Sequence, residues 1–171
     1  MSTSETSRIV TTLLEAAAQA GYQPIGSVRC LDDIETFPGK LCLGMECLDR
    51  DLWDYFPAAP LIKAAGTRRV RLQSGWQKTE REPGVYDFAW LDAIVDRLLS
   101  DGICPFLSLS YGNRIYVEDE AVYPNLGNGG LGHMPIKTDR EREGWTNYVR
   151  AIVRHFAGRI DTYEIWNEPD V

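Results

Sequence analysis

A short apolar run at residues 162–166 breaks into Asn167-Glu168-Pro169, which sets a carboxyl group where a buried strand opens into a loop. Such a position suits a general acid, because apolar surroundings disfavour the ionised form and keep a proton available for a leaving oxygen. Cleavage of a glycosidic bond needs a second carboxylate beside the first, and the sequence stops at Val171. Further groups able to work with Glu168 recur after three earlier apolar runs. Glu46 and Asp49 follow the first, Gln73 and Trp76 the second, Tyr111 and Asn113 the third, and Arg71 lies within the second run itself.

These residues have to be positioned by a repeat in which an apolar run is followed by a polar loop and then by a segment of helical period. The spacing predicts strands at 41–47, 68–73, 104–110 and 162–166, and helices at 57–65, 88–100 and 142–156. Phe88, Leu91, Ile94, Val95, Leu98 and Leu99 form one stripe, and Trp145, Tyr148, Val149, Ile152, Val153 and Phe156 another. Pro105 is acceptable only at a strand start. Strands separated by helices imply a parallel sheet, whose ligands bind at the carboxyl ends of the strands. All four loops that carry the unusual polar and aromatic residues fall at that end. Strict alternation would aim Asn167 and Glu168 at opposite faces, so both serve one site only if the strand end bulges or twists. Glu164 shares the parity of Glu168 but lies deeper, which suits an internal ion pair or hydrogen bond.

Ahead of the repeat, Ser7 can cap a helix running to about residue 20, with Ile9, Val10, Leu13, Leu14 and Ala17 on one face and Gly21 as a stop. Residues 22–40 read as irregular chain or as one minor strand at 27–31. The division is therefore a lead-in at 1–40 and a βα unit at 41–171. The loop at 111–141 exceeds the roughly 15 residues of a plain connection and is rich in Gly, Asn, Tyr and Pro; it reads as a substrate-lining loop or as simple flexible chain. Its glycines neither follow a strand nor open a helix, which argues against a phosphate cradle.

Composition excludes several classes. With 18 Lys+Arg against 25 Asp+Glu and a net charge of −7, the chain would repel nucleic acid and anionic membranes. Its apolar stretches fall short of the roughly 20 residues of a membrane span, and no basic start with an apolar core marks a secretory signal; a cytoplasmic location is expected. Cys30, Cys42, Cys47 and Cys104 show no metal-type spacing, and three of them lie in apolar segments where thiols pack in reduced form. His133 and His155 are the only histidines, so neither a metal site nor a cofactor is expected.

Trp166-Asn167-Glu168-Pro169 resembles the fourth-strand signature of retaining glycosidases of clan A, built on a (β/α)8 barrel. The segments beginning at Leu43-Gly44-Met45-Glu46, Arg71-Leu72-Gln73-Ser74-Gly75-Trp76, Gly84-Val85-Tyr86-Asp87-Phe88 and Leu109-Ser110-Tyr111-Gly112-Asn113 are similar to its β-xylosidase and iduronidase branch, in order across residues 41–170. The resemblance implies that Glu168 is the general acid/base and that Asn167 contacts a sugar 2-hydroxyl. It implies too that Arg71 steadies the nucleophile carboxylate, which in that clan stands on the seventh strand. Glu168 alone also reads as a solvated charge and Arg71 as a plain ion-pair partner. Trp76 and Tyr111 offer faces to a sugar or pack in the core, and Gln73, Asn113 and Glu46 complete the expected binding set. Glu46 and Asp49 are the carboxylates at the right end, yet nothing in the family makes either a nucleophile.

A full barrel takes about 250 residues. The expectation is the first four βα units of a (β/α)8 barrel, a half barrel with a lead-in helix, inactive alone and acting on a carbohydrate once its other half is present. A non-catalytic carbohydrate-binding module and a half barrel that self-associates are the competing expectations. In each case, cutting the ring would leave unpaired edges and an apolar face open.

Overall fold

The structure is a computed structural model that describes residues 3–23, 25–26, 42–117 and 133–168. Chain order runs α1 (Thr3–Gln19), β1 (Cys42–Met45), α2 (Tyr55–Ala64), β2 (Arg69–Gln73), α3 (Trp76–Thr79), β3 (Glu80–Glu82), β4 (Val85–Tyr86), α4 (Ala89–Ser100), β5 (Cys104–Leu109), α5 (Asp139–His155) and β6 (Tyr163–Ile165). Single 3-10 turns follow β1 at Leu48–Arg50 and β5 at Arg114–Tyr116. Strands β1, β2, β5 and β6 form one parallel sheet in that order. Three of the four lie within a residue of the expected ends, and β1 closes two residues early.

Register fixes which side chains share a face. Gly44 lies beside Arg71 and Phe106, and Gln73 beside Ser108 and Glu164. Alternation then places Met45, Val70, Leu72, Leu107 and Leu109 on the opposite face. There they join Leu91, Ile94, Val95 and Leu98 of α4 and Tyr148, Ile152 and Phe156 of α5 in the core. Leu98 and Leu107 are fully buried, each stabilising the fold by about 2 kcal/mol relative to exposure. The other face carries Arg69, Arg71, Gln73, Ser108 and Glu164. The open face is therefore polar, against the apolar surface expected of a cut barrel, because the short strands alternate instead of running continuously apolar. Cys42 and Cys104 open their strands on this face and are exposed, and Cys47 is half-buried; the expected packing of thiols in apolar segments does not hold for the first two. Cys30 lies outside the described residues, as do Leu41, the minor strand at 27–31 and the centre of the long loop.

Between β2 and α4 the chain makes an element the sequence reading left as loop. Glu82-Pro83-Gly84-Val85 closes an antiparallel hairpin of β3 on β4, with Gly84 at φ 79°, where Pro presets the first turn position and Gly accepts the positive φ of the second. α5 begins three residues before its expected start, because Thr138 and Glu141 form a reciprocal capping box. Its stripe holds except at Val153, 38% exposed. α1 begins at Thr3, so Ser7 lies inside the helix instead of capping it, and Leu13 and Leu14 are exposed.

Candidate active site

Arg71 is the hub at the carboxyl end of the sheet. Its Nε and Nη2 grip Glu164 at 2.7 and 3.1 Å, its Nη1 donates to Glu46 Oε1 at 2.6 Å, and Nη2 reaches Ser108 Oγ at 3.0 Å and Asn167 Oδ1 at 2.9 Å. A planar fork of donors suits a bidentate carboxylate on the neighbouring strand. The bonds to Glu164 above all, with those to Glu46, raise the Arg71 pKa against the opposing effect of burial. Gly44 makes room for this arrangement, since a Cβ there would lie 2.9 Å from Glu46 Oε1.

The strand-parity problem is solved in the backbone. β6 ends at Ile165, and Trp166 and Glu168 adopt φ of 66° and 49°, left-handed values that are costly for residues with a side chain, at about 1–3 kcal/mol each. The Trp166 N–H still bonds Leu109 O at 3.0 Å, so the turn begins one residue after the last pairing. It brings both side chains to one place: Asn167 Nδ2 lies 3.2 Å from Glu168 Oε2. Glu168 itself is exposed, so the partial burial expected of it is not supplied here.

A second line of bonds reaches Asn167 from the other side. Gln73 Oε1 accepts from Arg50 Nη2 at 2.7 Å and from the Cys47 N–H at 3.0 Å, Gln73 Nε2 donates to Tyr111 Oη at 3.3 Å, and Asn167 Nδ2 donates to the same oxygen at 2.7 Å. The Arg50 guanidinium lies 5.5 Å over the Tyr111 ring, and Trp166 meets that ring edge-on at 6.1 Å. Burial raises the Tyr111 pKa, assisted by the charges of Glu168 and Glu46 and opposed by Arg50. Glu46, Arg71, Gln73, Tyr111, Asn167 and Glu168 thus form one connected group.

Trp76 and Asn113 do not join it. Trp76 is fully buried, stacked between Tyr116 and Tyr148 at 5.2 and 5.5 Å with Trp145 at its edge, so neither face is open to a sugar. Its Nε1 donates to Glu80 Oε2 at 2.5 Å. Asn113 is 2% exposed, and its amide is consumed by Glu80 O at 2.7 Å and the Ile115 N–H at 3.1 Å. Sequence reasoning missed Arg50, although it directly follows the Asp49 it singled out. It also missed Glu80, a fully buried carboxylate satisfied by Trp76, the Gly84 N–H and the Tyr116 hydroxyl.

Arg50 also lines a cleft of about 270 Å³ together with Asp49, Asp51, Gly75, Lys78 and Arg81. Asp49 Oδ2 is buried there without a hydrogen bond, and burial raises the Asp49 pKa despite the neighbouring Arg50. Among the described residues no group of three or more His, Cys, Asp or Glu is placed to hold a metal ion, and no helix is long and apolar enough to cross a membrane.

Known proteins resemble this chain in sequence and in fold. A β-xylosidase from Geobacillus stearothermophilus is 27% identical over 94 residues, covering 50% of this chain and 17% of that protein. A family 39 glycoside hydrolase from the gut symbiont Bacteroides cellulosilyticus superposes with a TM-score of 0.56 at 27% identity, over 75% of this chain and 24% of its own. The β-glucosidase of Exiguobacterium antarcticum, at TM-score 0.54 and 18% identity over 67% of this chain and 24% of its own, shares the fold alone. The parallel sheet is therefore of the (β/α)8 barrel type, and the chain spans about a fifth of the length of these relatives. The model of the glycosyl hydrolases family 39 matches residues 72–171, more than half of the sequence, and the chain belongs to that family.

Proposed function

We propose that this chain is the amino-terminal half of a (β/α)8 barrel of a retaining β-xylosidase-like glycoside hydrolase, in which Glu168 is the general acid/base. The observation that carries the reading is the convergence of Glu46, Arg71, Gln73, Tyr111, Asn167 and Glu168 at the carboxyl end of four parallel strands, with Asn167 bonded to both Arg71 and Glu168. Glu168 protonates the leaving oxygen and then deprotonates the attacking water, Asn167 orients it, and Arg71 offers its charge to a nucleophile carboxylate supplied from beyond residue 171. The carboxylates already beside Arg71, Glu46 and Glu164, are each bonded to it, which suits a structural duty better than nucleophilic attack. The partner is a carbohydrate together with the complementary barrel half or a second copy of the chain, and the proposed setting is the cytoplasm.

Turnover of an aryl β-xyloside tests this. The purified 171-residue chain is expected to turn over no faster than its Glu168→Gln variant. Extended through the rest of the reading frame, the protein should gain turnover that Glu168→Gln lowers by about 10²–10⁴-fold. Turnover by the extended protein that ignores Glu168 would overturn the assignment, and Glu168-dependent turnover by the short chain would place the second carboxylate within it.

A further inference from the structure

Two guanidinium groups fix the direction of each hydrogen bond that converges on Tyr111. Guanidinium and peptide N–H groups only donate. Because Arg71 Nη2 donates to Asn167 Oδ1, the amide nitrogen of Asn167 must be the end that faces Tyr111. Because Arg50 Nη2 and the Cys47 N–H both donate to Gln73 Oε1, the amide nitrogen of Gln73 must face Tyr111 as well. The phenolic oxygen therefore receives two N–H groups, at 2.7 and 3.3 Å, which uses both of its acceptor sites. Its own hydrogen bonds to none of the described residues. A hydroxyl whose oxygen accepts two bonds is polarised, and it donates more strongly.

We propose that Tyr111 is a neutral hydrogen-bond donor of the site, presenting its O–H to one hydroxyl oxygen of a bound pyranoside, and that Arg50 is the positioning residue that sets this polarity through Gln73. The proposal rests on the glycoside reading above and adds to it a residue, a bond direction and a controlling group. Arg50 stands at the far end of the relay and need not touch the sugar. Its guanidinium also covers one face of the Tyr111 ring, so the ring's part in recognition passes from stacking to its hydroxyl. No such donor was legible in the sequence, because the direction of an amide is decided by what bonds its oxygen.

The test titrates the 171-residue chain by NMR with methyl β-xyloside and its three monodeoxy analogues. Tyr111→Phe should bind the parent sugar about five- to tenfold more weakly, as expected for one net hydrogen bond, and the loss should vanish for the one analogue that lacks the partner hydroxyl. Gln73→Glu keeps the Tyr111 hydroxyl but offers it an acceptor, drawing the hydrogen away from the sugar. It should reproduce the same analogue-specific loss, and add nothing in a Tyr111→Phe background. Arg50→Met should show the same selectivity in weaker form, since Gln73 Oε1 then keeps only the Cys47 N–H as its donor. Cooperative melting confirms that each variant is folded, and Gln73→Glu carries the test should Tyr111→Phe not fold. If Tyr111→Phe binds all four sugars like the wild type, or weakens all four equally, the proposal fails while the glycoside reading stands. If the 171-residue chain binds none of them, the same series is run on the protein extended through the rest of the reading frame, and no binding there sinks the glycoside reading and the proposal with it.

Discussion

At the scale of single residues, the chain keeps its polar groups in two different states. Around Arg71 each carboxylate is paired or half exposed, and the guanidinium is the shared partner. Asp49 is the contrast, because its Oδ2 is buried without a hydrogen bond and its pKa is raised chiefly by burial. A raised carboxyl pKa means that the folded state holds its proton more tightly than the unfolded chain, whose Asp titrates near 3.9. The resulting stability is present below that pH and is lost as pH rises through the folded value. Urea melts of Asp49→Asn against wild type should therefore show the variant gaining relative stability as pH rises from 4 to 7, and a difference flat with pH would contradict the assignment. The position of Asp49 at a strand's carboxyl end was readable from its place in the repeat. Its orphaned oxygen was not, because burial there is imposed by Gly75 and Trp90, which a Cβ on Gly75 would meet together with Asp49 at under 3 Å.

At the scale of elements, alternation and helical period located strands and helices well, and failed where distant elements decide. Trp76 follows its strand at the end where ligands bind, and the sequence alone makes it a candidate platform. Tyr148 of α5, 72 positions later, covers one of its faces and Tyr116 the other. The hairpin of β3 and β4 was announced by Pro83-Gly84, but strands of two and three residues are too short to show a period. That hairpin supplies Glu80, which pins Tyr116 against α5. Gly144 of α5 is the contact point, since a Cβ would lie 2.6–2.8 Å from three atoms of the Tyr116 ring. The ring is stacked on Trp76 and bonded to Glu80, so it cannot yield. Gly144→Ala is expected to destabilise the fold by about 1–3 kcal/mol, seen as a lower urea midpoint. A midpoint unchanged from wild type would show that α5 shifts freely on its bed.

At the scale of the whole molecule, β1 and β6 are the outer strands of the described sheet, and Leu43 and Ile165 on them are 36% and 68% exposed. Open strand edges with apolar neighbours favour pairing with another chain. Sedimentation of the purified chain should therefore show concentration-dependent association, with Ile165→Lys shifting it toward monomer; a single monomeric species at all concentrations would count against an incomplete ring. The parallel βα order was legible in the repeat and the barrel only in the resemblance carried by Trp166-Asn167-Glu168-Pro169, whereas the polar character of the open face became visible only once the register set Arg71 and Gln73 on the same side. The bonds that close the site also have a long reach along the chain. Arg71 is separated by 93 positions from Glu164 and by 96 from Asn167. Contacts of such sequence separation carry a large loop-closure cost and form late. The site is accordingly a clock for folding: a sugar that needs Asn167 in place can be captured only after β6 docks, so ligand uptake during refolding would time the docking of that strand.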